Sequence, residues 1–189
     1  MARPRKFDPQ EALEKVTDVF WRKGFEGASM QEIEAATGLN KQSLYRLFPD
    51  KRAMYLAALQ KYEEQEGEPL RAMLSGPGGA SERFKRVFDN LVASAARGDR
   101  RGCFLCNAAT DQAQLDPATQ GFVSAAVKRF ERMFREALRV SAPYNRDREA
   151  TKAKAAALLS AYFGLRVLTR ANAPLNTIEA AARQACETI

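Results

Sequence analysis

Apolar side chains recur every three to four residues through almost the whole of this chain, and no stretch alternates apolar and polar residues with period two. The first spacing places residues on one face of a helix; the second would place them on one face of a strand. A chain patterned this way is expected to be all-α. The abundance of Ala and the scarcity of Val and Ile point the same way, because β-branched residues lose side-chain freedom in helices. With 189 residues, the chain can bury one sizeable core, or join a small module to a medium one.

The helical pattern is cut into segments by recognisable stops. Asp8-Pro9 reads as an N-cap followed by a proline at the first helical position. From there Leu13, Val16 and Phe20 repeat on one face, and the helix is expected to end at Lys23, before Gly24. Ser29-Met-Gln-Glu32 is a capping box. It opens a short helix expected to bury Met30, Ile33 and Ala36 and to stop at Gly38. Asn40 caps a third helix carrying Leu44, Leu47 and Phe48; Pro49 ends it, and Asp50 caps a fourth that starts at Lys51. Gly67 and Pro69 are expected to weaken that fourth helix, and Ser75 to Gly79 reads as a linker. Five further helical stretches follow. One is capped by Ser81; one runs from Cys103 to Gln114; one is opened by Asp116-Pro117; one covers 147–171; and the last is capped by Asn176.

The second and third helices are short and are joined by Thr37-Gly-Leu-Asn40. This is the spacing of a helix-turn-helix, in which a support helix meets a recognition helix at a tight turn. Ile33, Leu39 and Leu44 supply the inward apolar face. Lys41, Gln42, Ser43, Tyr45 and Arg46 supply an outward polar face able to meet a duplex groove. In the major groove Lys suits guanine and Gln suits adenine, so Lys41 and Gln42 are the candidates for base edges. The plainer readings stand beside these: Tyr45 as a surface aromatic over a small core, Lys41 and Arg46 as solvated charges, and the basic residues 1–7 as a solubilising tail.

Composition excludes more than it selects. The chain has no histidine, which removes Ser-His and Cys-His catalysis and imidazole metal sites. No enzyme activity, cofactor or metal is expected. The formal charge is +7, but residues 1–66 hold 11 Lys/Arg and 11 Asp/Glu, so the excess lies entirely in the remainder. Net charge therefore says nothing for nucleic-acid binding by the N-terminal segment. No apolar run approaches the ~20 residues of a membrane helix, and the N-terminus lacks the apolar segment of a secretory signal. A cytoplasmic protein without a membrane partner is expected.

The stretch Phe20-Trp-Arg-Lys-Gly-Phe-Glu-Gly-Ala-Ser29, then Ile33 and Ala36-Thr-Gly-Leu-Asn40, then Ser43-Leu-Tyr-Arg-Leu-Phe-Pro-Asp-Lys51, resembles the N-terminal signature of the TetR (tetracycline repressor) family along about fifty residues. Beyond it, only the number and length of helices match. The resemblance implies an N-terminal three-helix helix-turn-helix DNA-binding domain with a basic arm, residues 1–50. A larger C-terminal helical ligand-binding and dimerisation domain, 51–189, would follow. It also implies a transcriptional regulator, most simply a repressor released from a pseudo-palindromic operator by a small-molecule effector. Tyr45 and Lys51 match positions that hold DNA phosphates. Ser29, at a helix N-terminus, is placed to offer its hydroxyl and N–H to a phosphate. Arg3 and Arg5 would reach the minor groove or backbone. Gln42 departs from the family, where this position is more often small.

For the C-terminal domain, the family's ligand cavity suggests Phe88, Phe104, Phe130, Phe134 and Tyr162 as lining, with Asn107 and Arg166 as polar groups inside. Plain core packing is the competing reading of each aromatic residue. Arg166 must find an acceptor or solvent, either an anionic ligand or a carboxylate such as Asp111. The last two helices are rich in small residues, and the resemblance implies pairing with a second copy through Leu158, Ala161, Leu165, Ile178 and Ala182. Cys103-Phe-Leu-Cys106 is half a metal motif and lacks the strand context of a redox motif. It reads as structural, or as a thiol sensor if a helix N-terminus lowers a thiol pKa. A thiol-based redox or electrophile-sensing repressor is thus the alternative. An enzyme in the C-terminal domain and an effector-free architectural protein are weaker possibilities.

Overall fold

The computed structural model describes residues 8–111, 116–187 and 189. Among them are nine α-helices: α1 (Pro9–Gly27), α2 (Met30–Thr37), α3 (Lys41–Leu47), α4 (Lys51–Ser75), α5 (Ala80–Ala96), α6 (Phe104–Asp111), α7 (Pro117–Leu138), α8 (Arg148–Arg170) and α9 (Leu175–Glu187). No described residue lies in a strand. No helix among them is long and apolar enough to cross a membrane. The all-α expectation holds.

Packing divides the chain into two compact units. One comprises the described residues up to Gln65 with those of Asn107–Val123; the other comprises the described residues of Glu66–Cys106 and Ser124–Ile189.

In the first unit, α1 packs on α2 and α2 on α3. Val16, Phe20, Ile33, Leu44, Met54, Ala58 and Leu59 are fully buried. Three aromatic contacts tie α1 and its end to α4. The Phe20 and Tyr55 rings meet edge-on at 5.1 Å, Phe25 and Tyr55 at 5.3 Å, and Trp21 and Tyr62 at 4.8 Å. Each such pair adds about 0.5–1.5 kcal/mol beyond its buried area. Asp8 caps α1 by accepting the Gln10 N–H at 2.8 Å. The expected end at Lys23 is instead a kink: Gly24 is non-helical (φ 72°, ψ −179°), and the helix resumes to Gly27.

In the second unit, α5 packs on α9 and α8, and α8 packs on α9. Phe84, Phe88, Phe130, Phe134, Leu138 and Ile178 form its interior, with Phe84 and Phe134 edge-on at 5.2 Å.

α4 runs through Gly67 and Pro69 to Ser75, where the expected linker begins. Other expected boundaries are corrected. α5 starts at Ala80, and Ser81 is not its cap; Glu82 folds back instead to accept the Gly79 N–H at 2.8 Å. α6 begins after Cys103. α9 begins at Leu175, so Asn176 lies inside it, and the carbonyl of Pro174 accepts from Thr177 and Ile178. On α8, Leu168 is 37% exposed.

Candidate nucleic-acid interface

The turn between α2 and α3 is built from short-range hydrogen bonds that the sequence dictates. Gly38 is left-handed (φ 73°, ψ 10°) and donates its N–H to the Glu34 carbonyl at 2.8 Å. A residue with a Cβ is strained in this conformation. Thr37 donates its hydroxyl to the Ile33 carbonyl at 2.7 Å and accepts the Leu39 N–H at 3.2 Å. Asn40 Oδ1 accepts the Ser43 N–H at 2.9 Å, a cap of about 1 kcal/mol. The Glu34 carboxylate accepts the Lys41 N–H. Both ends of the turn are therefore held by side chains, and the pitch of α3 against α2 follows from them.

One side of α3 anchors it: Leu44 is fully buried and Leu47 half-buried. On the other side Lys41, Gln42, Tyr45 and Arg46 are exposed, and Ser43 is half-buried. The Lys41 ammonium lies 5.7 Å from the Tyr45 ring centroid, within cation–π range. At the start of α4 the Lys51 ammonium sits 4.6 Å from the Phe25 ring. Its neighbour Arg52 lies 5.9 Å from the same ring and pairs with Asp116 at 2.9 Å. α2 departs from expectation, since it buries Ile33 alone; Met30 is half-buried and Ala36 exposed.

Ser29 starts α2, but its donors are engaged. Its N–H and hydroxyl both donate to Glu32 Oε2, at 2.9 and 3.1 Å. The other Glu32 oxygen pairs with Lys23. Lys23, then the Ser29 N–H and hydroxyl, hold the Glu32 carboxyl down to about 2. The N–H groups of Met30 and Gln31, in the first turn, have no intrahelical partner and point out of the same helix end. Arg3 and Arg5 lie outside the described residues.

The other expected sites separate. Phe104, Phe130 and Phe134 are core residues, at most 2% exposed, and Asn107 is buried in the first unit. The second unit does hold a cavity of about 240 Å³, between α4, α5, α8 and the loop before α6. Of the seven residues expected to line it, only Tyr162 and Arg166 do so. Phe88 instead borders a separate groove between α5 and α9. The carboxylate paired with Arg166 is Glu66, at 2.8 Å. Phe25, Glu34, Arg52 and Glu66 are thus participants that sequence reasoning missed. Phe25 lay within the signature, but its role depends on a kink no spacing rule announces.

Cys103 is buried and precedes α6, while Cys106 is half-buried within it. A hydrogen bond with Cys103, and then burial, push the Cys106 thiol above its ordinary range. Leu158, Leu165, Ile178 and Ala182 are buried in the interior of the second unit, and Ala161 is half-buried.

Two short helices crossing at a glycine turn, with a rigidly capped second helix showing a cationic and amide face, define a helix-turn-helix DNA-binding regulator. The comparisons agree. Residues 13–58 match the family described as bacterial regulatory proteins, tetR family. The HTH-type transcriptional regulator YezE of Bacillus subtilis (strain 168) is 29% identical over 135 residues, covering 71% of this chain and 70% of YezE. The HTH-type transcriptional repressor ComR of Escherichia coli (strain K12) is 28% identical over 110 residues, covering 57% of this chain and 52% of ComR. Among solved structures, a cysteine mutant of the TetR family transcriptional regulator CifR, complexed with 26-base-pair double-strand operator DNA, is 28% identical. It superposes with a TM-score of 0.88 over 98% of both chains. Residues 13–58 thus carry the DNA-binding segment of the tetR family, and the chain has the fold of TetR family transcriptional regulators.

Proposed function

We propose that this regulator is a repressor that binds a pseudo-palindromic operator as a homodimer and leaves it when a small molecule enters the cavity of the second unit. The observation that carries the DNA-binding part is the exposed row Lys41, Gln42, Tyr45 and Arg46 on a helix capped by both Asn40 and Glu34. Lys41 and Gln42 would read base edges, and Tyr45 and Lys51 would hold phosphates. Ser29 would contribute through its helix end, and Ser43 and Arg46 would flank the readout. Arg3 and Arg5 would follow the adjacent backbone or minor groove. Repression is supported by the likeness to ComR, a transcriptional repressor, and to CifR bound to operator DNA.

A dimer fits the need to present two recognition helices to two half-sites. The exposed face of α8, with Gly164, Val167 at 51% and Leu168 at 37%, supports pairing there. Burial of Cys103 favours a reversibly bound effector over thiol chemistry. The domain division placed after residue 50 remains part of this reading.

The test is selection of duplexes from a random pool by the full chain, followed by footprinting and salt titration. A two-half-site sequence is expected, bound far more tightly than random DNA. Lys51→Ala should lower the salt slope by about one, whereas Lys41→Ala should relax preference at one base position. Selection that yields no sequence preference would sink the proposal.

A further inference from the structure

We infer that the cavity of the second unit takes a small organic acid, whose carboxylate displaces Glu66 from Arg166. This rests on the reading of that cavity as the effector site and names the chemistry of the effector.

Arg166 and Glu66 are unequally held. Arg166 Nη1 donates to Tyr162 Oη at 3.0 Å as well as to Glu66 at 2.8 Å, and Nη2 donates to the Gly102 carbonyl at 3.3 Å. Its guanidinium also stands 5.6 Å from the Tyr162 ring centroid. Glu66 has Arg166 as its one ion-pair or hydrogen-bond partner among the described residues, and its side chain is 30% exposed against 16% for Arg166. Of the two, Glu66 is the member that can leave, and its way to solvent is open. An incoming cation would have to strip Arg166 from an anchored position. An incoming carboxylate has only to replace another carboxylate.

The surroundings favour an anion as well. The loop Arg97-Gly-Asp-Arg-Arg-Gly102 brings Arg97 and Asp99 to the cavity wall. Asp99 is already neutralised, because Arg101 donates to both of its oxygens, at 3.0 and 2.9 Å. Arg170, one turn beyond Arg166, donates to the Arg101 carbonyl at 3.0 Å. Gly102 (φ 71°) allows this loop to lie on α8, since a Cβ there would stand 2.9 Å from both the Arg166 carbonyl oxygen and Arg170 Cβ.

Exchange of one carboxylate for another leaves the electrostatics nearly balanced. The net gain comes from the ligand's body, which meets Leu70, Met73, Val87 and Leu91 on the cavity wall. At about 240 Å³ the space lies below the roughly 300–1,000 Å³ typical of drug-sized sites, so a short acyl or single-ring acid fits.

The experiment uses the full chain and a panel running from butanoate to octanoate, plus benzoate, each beside its amide and its primary amine. Binding is read by thermal shift and calorimetry. At least one carboxylate should bind, with its amide and amine weaker by about tenfold or more. Arg166→Gln should lose that preference, and Glu66→Gln, which removes the competing carboxylate, should bind the acid more tightly. Should Arg166→Gln fail to fold, Glu66→Gln alone decides: unchanged or weaker binding overturns the inference. So does binding of the amines or amides in preference, or no binding by any member. The same samples, tested on the selected duplex, separate the two readings. An amine or amide that binds and releases DNA overturns the organic-acid assignment and leaves effector control standing. A carboxylate that binds without releasing DNA preserves the assignment and removes effector control.

Discussion

Glu32 links the end of α1 to the start of α2. Its carboxylate accepts from the N–H and hydroxyl of Ser29 and pairs with Lys23. The Ser29–Glu32 half of this arrangement was legible as a capping box, because it depends on residues three apart. The Lys23 half was not, because it needs the left-handed Gly24 to turn the chain. The carboxyl is lowered from 4.5 to about 2, so the charged form favours the folded state. Its stabilising contribution is complete above about pH 4.5 and declines as pH falls towards about 2. Glu32→Gln should therefore melt below the wild type at neutral pH, with the gap narrowing on acidification below about 4.5. A gap that stays constant with pH would assign the effect to shape rather than charge. The same cluster bears on DNA: a phosphate reaching the Ser29 hydroxyl must compete with Glu32 for it.

At the level of whole elements, α2 and α3 were readable because their starts and stops are local: Ser29, Gly38, Asn40 and Pro49 each act within one turn. In α4, Gly67 and Pro69 were expected to weaken the helix, and the packing around them decides how far they do. A proline in a helix interior costs about 3 kcal/mol and a glycine about 1. Burial of Leu70 and Leu74, at 1% and 3% exposure, returns about 1.5–3 kcal/mol each, enough to carry the helix through. The weak turn persists all the same, since Pro69 has no N–H to give the Gln65 carbonyl. It falls where the chain passes from one compact unit to the next, at Gln65 and Glu66, beside the ion pair with Arg166. Pro69→Ala restores a donor and gives up some stiffness in the unfolded chain. A net gain of about 1–2 kcal/mol is expected, seen as a higher urea midpoint at unchanged m-value. A lower midpoint would show that the ring's contacts at the cavity wall outweigh the missing hydrogen bond.

For the molecule as a whole, the aromatic pattern identified the core but not the cavity. Phe104, Phe130 and Phe134 fill space, whereas the cavity is bounded by α5, the later turns of α4 and α8 and the loop before α6, residues far apart in sequence. The small-residue stripe of α8 was similarly ambiguous, since Leu158 and Leu165 turn into the second unit's interior and Gly164, Val167 and Leu168 turn out. The outward set is the one available to a second copy. Val167, at 51% exposure, contributes little to the protomer's own interior, so Val167→Asp should leave the fold intact by circular dichroism. In a paired interface the new carboxylate would lie against its symmetry mate without water, which is strongly unfavourable. Sedimentation should then show monomers. Affinity for a duplex with two half-sites should fall by about a hundredfold or more, because each recognition helix would bind without the effective concentration its partner provides. Affinity for a single half-site should be unchanged, since Lys41 to Arg46 remain in place. If Val167→Asp stays dimeric and binds the full operator as before, pairing occurs on another face, and the outward stripe of α8 needs a different explanation.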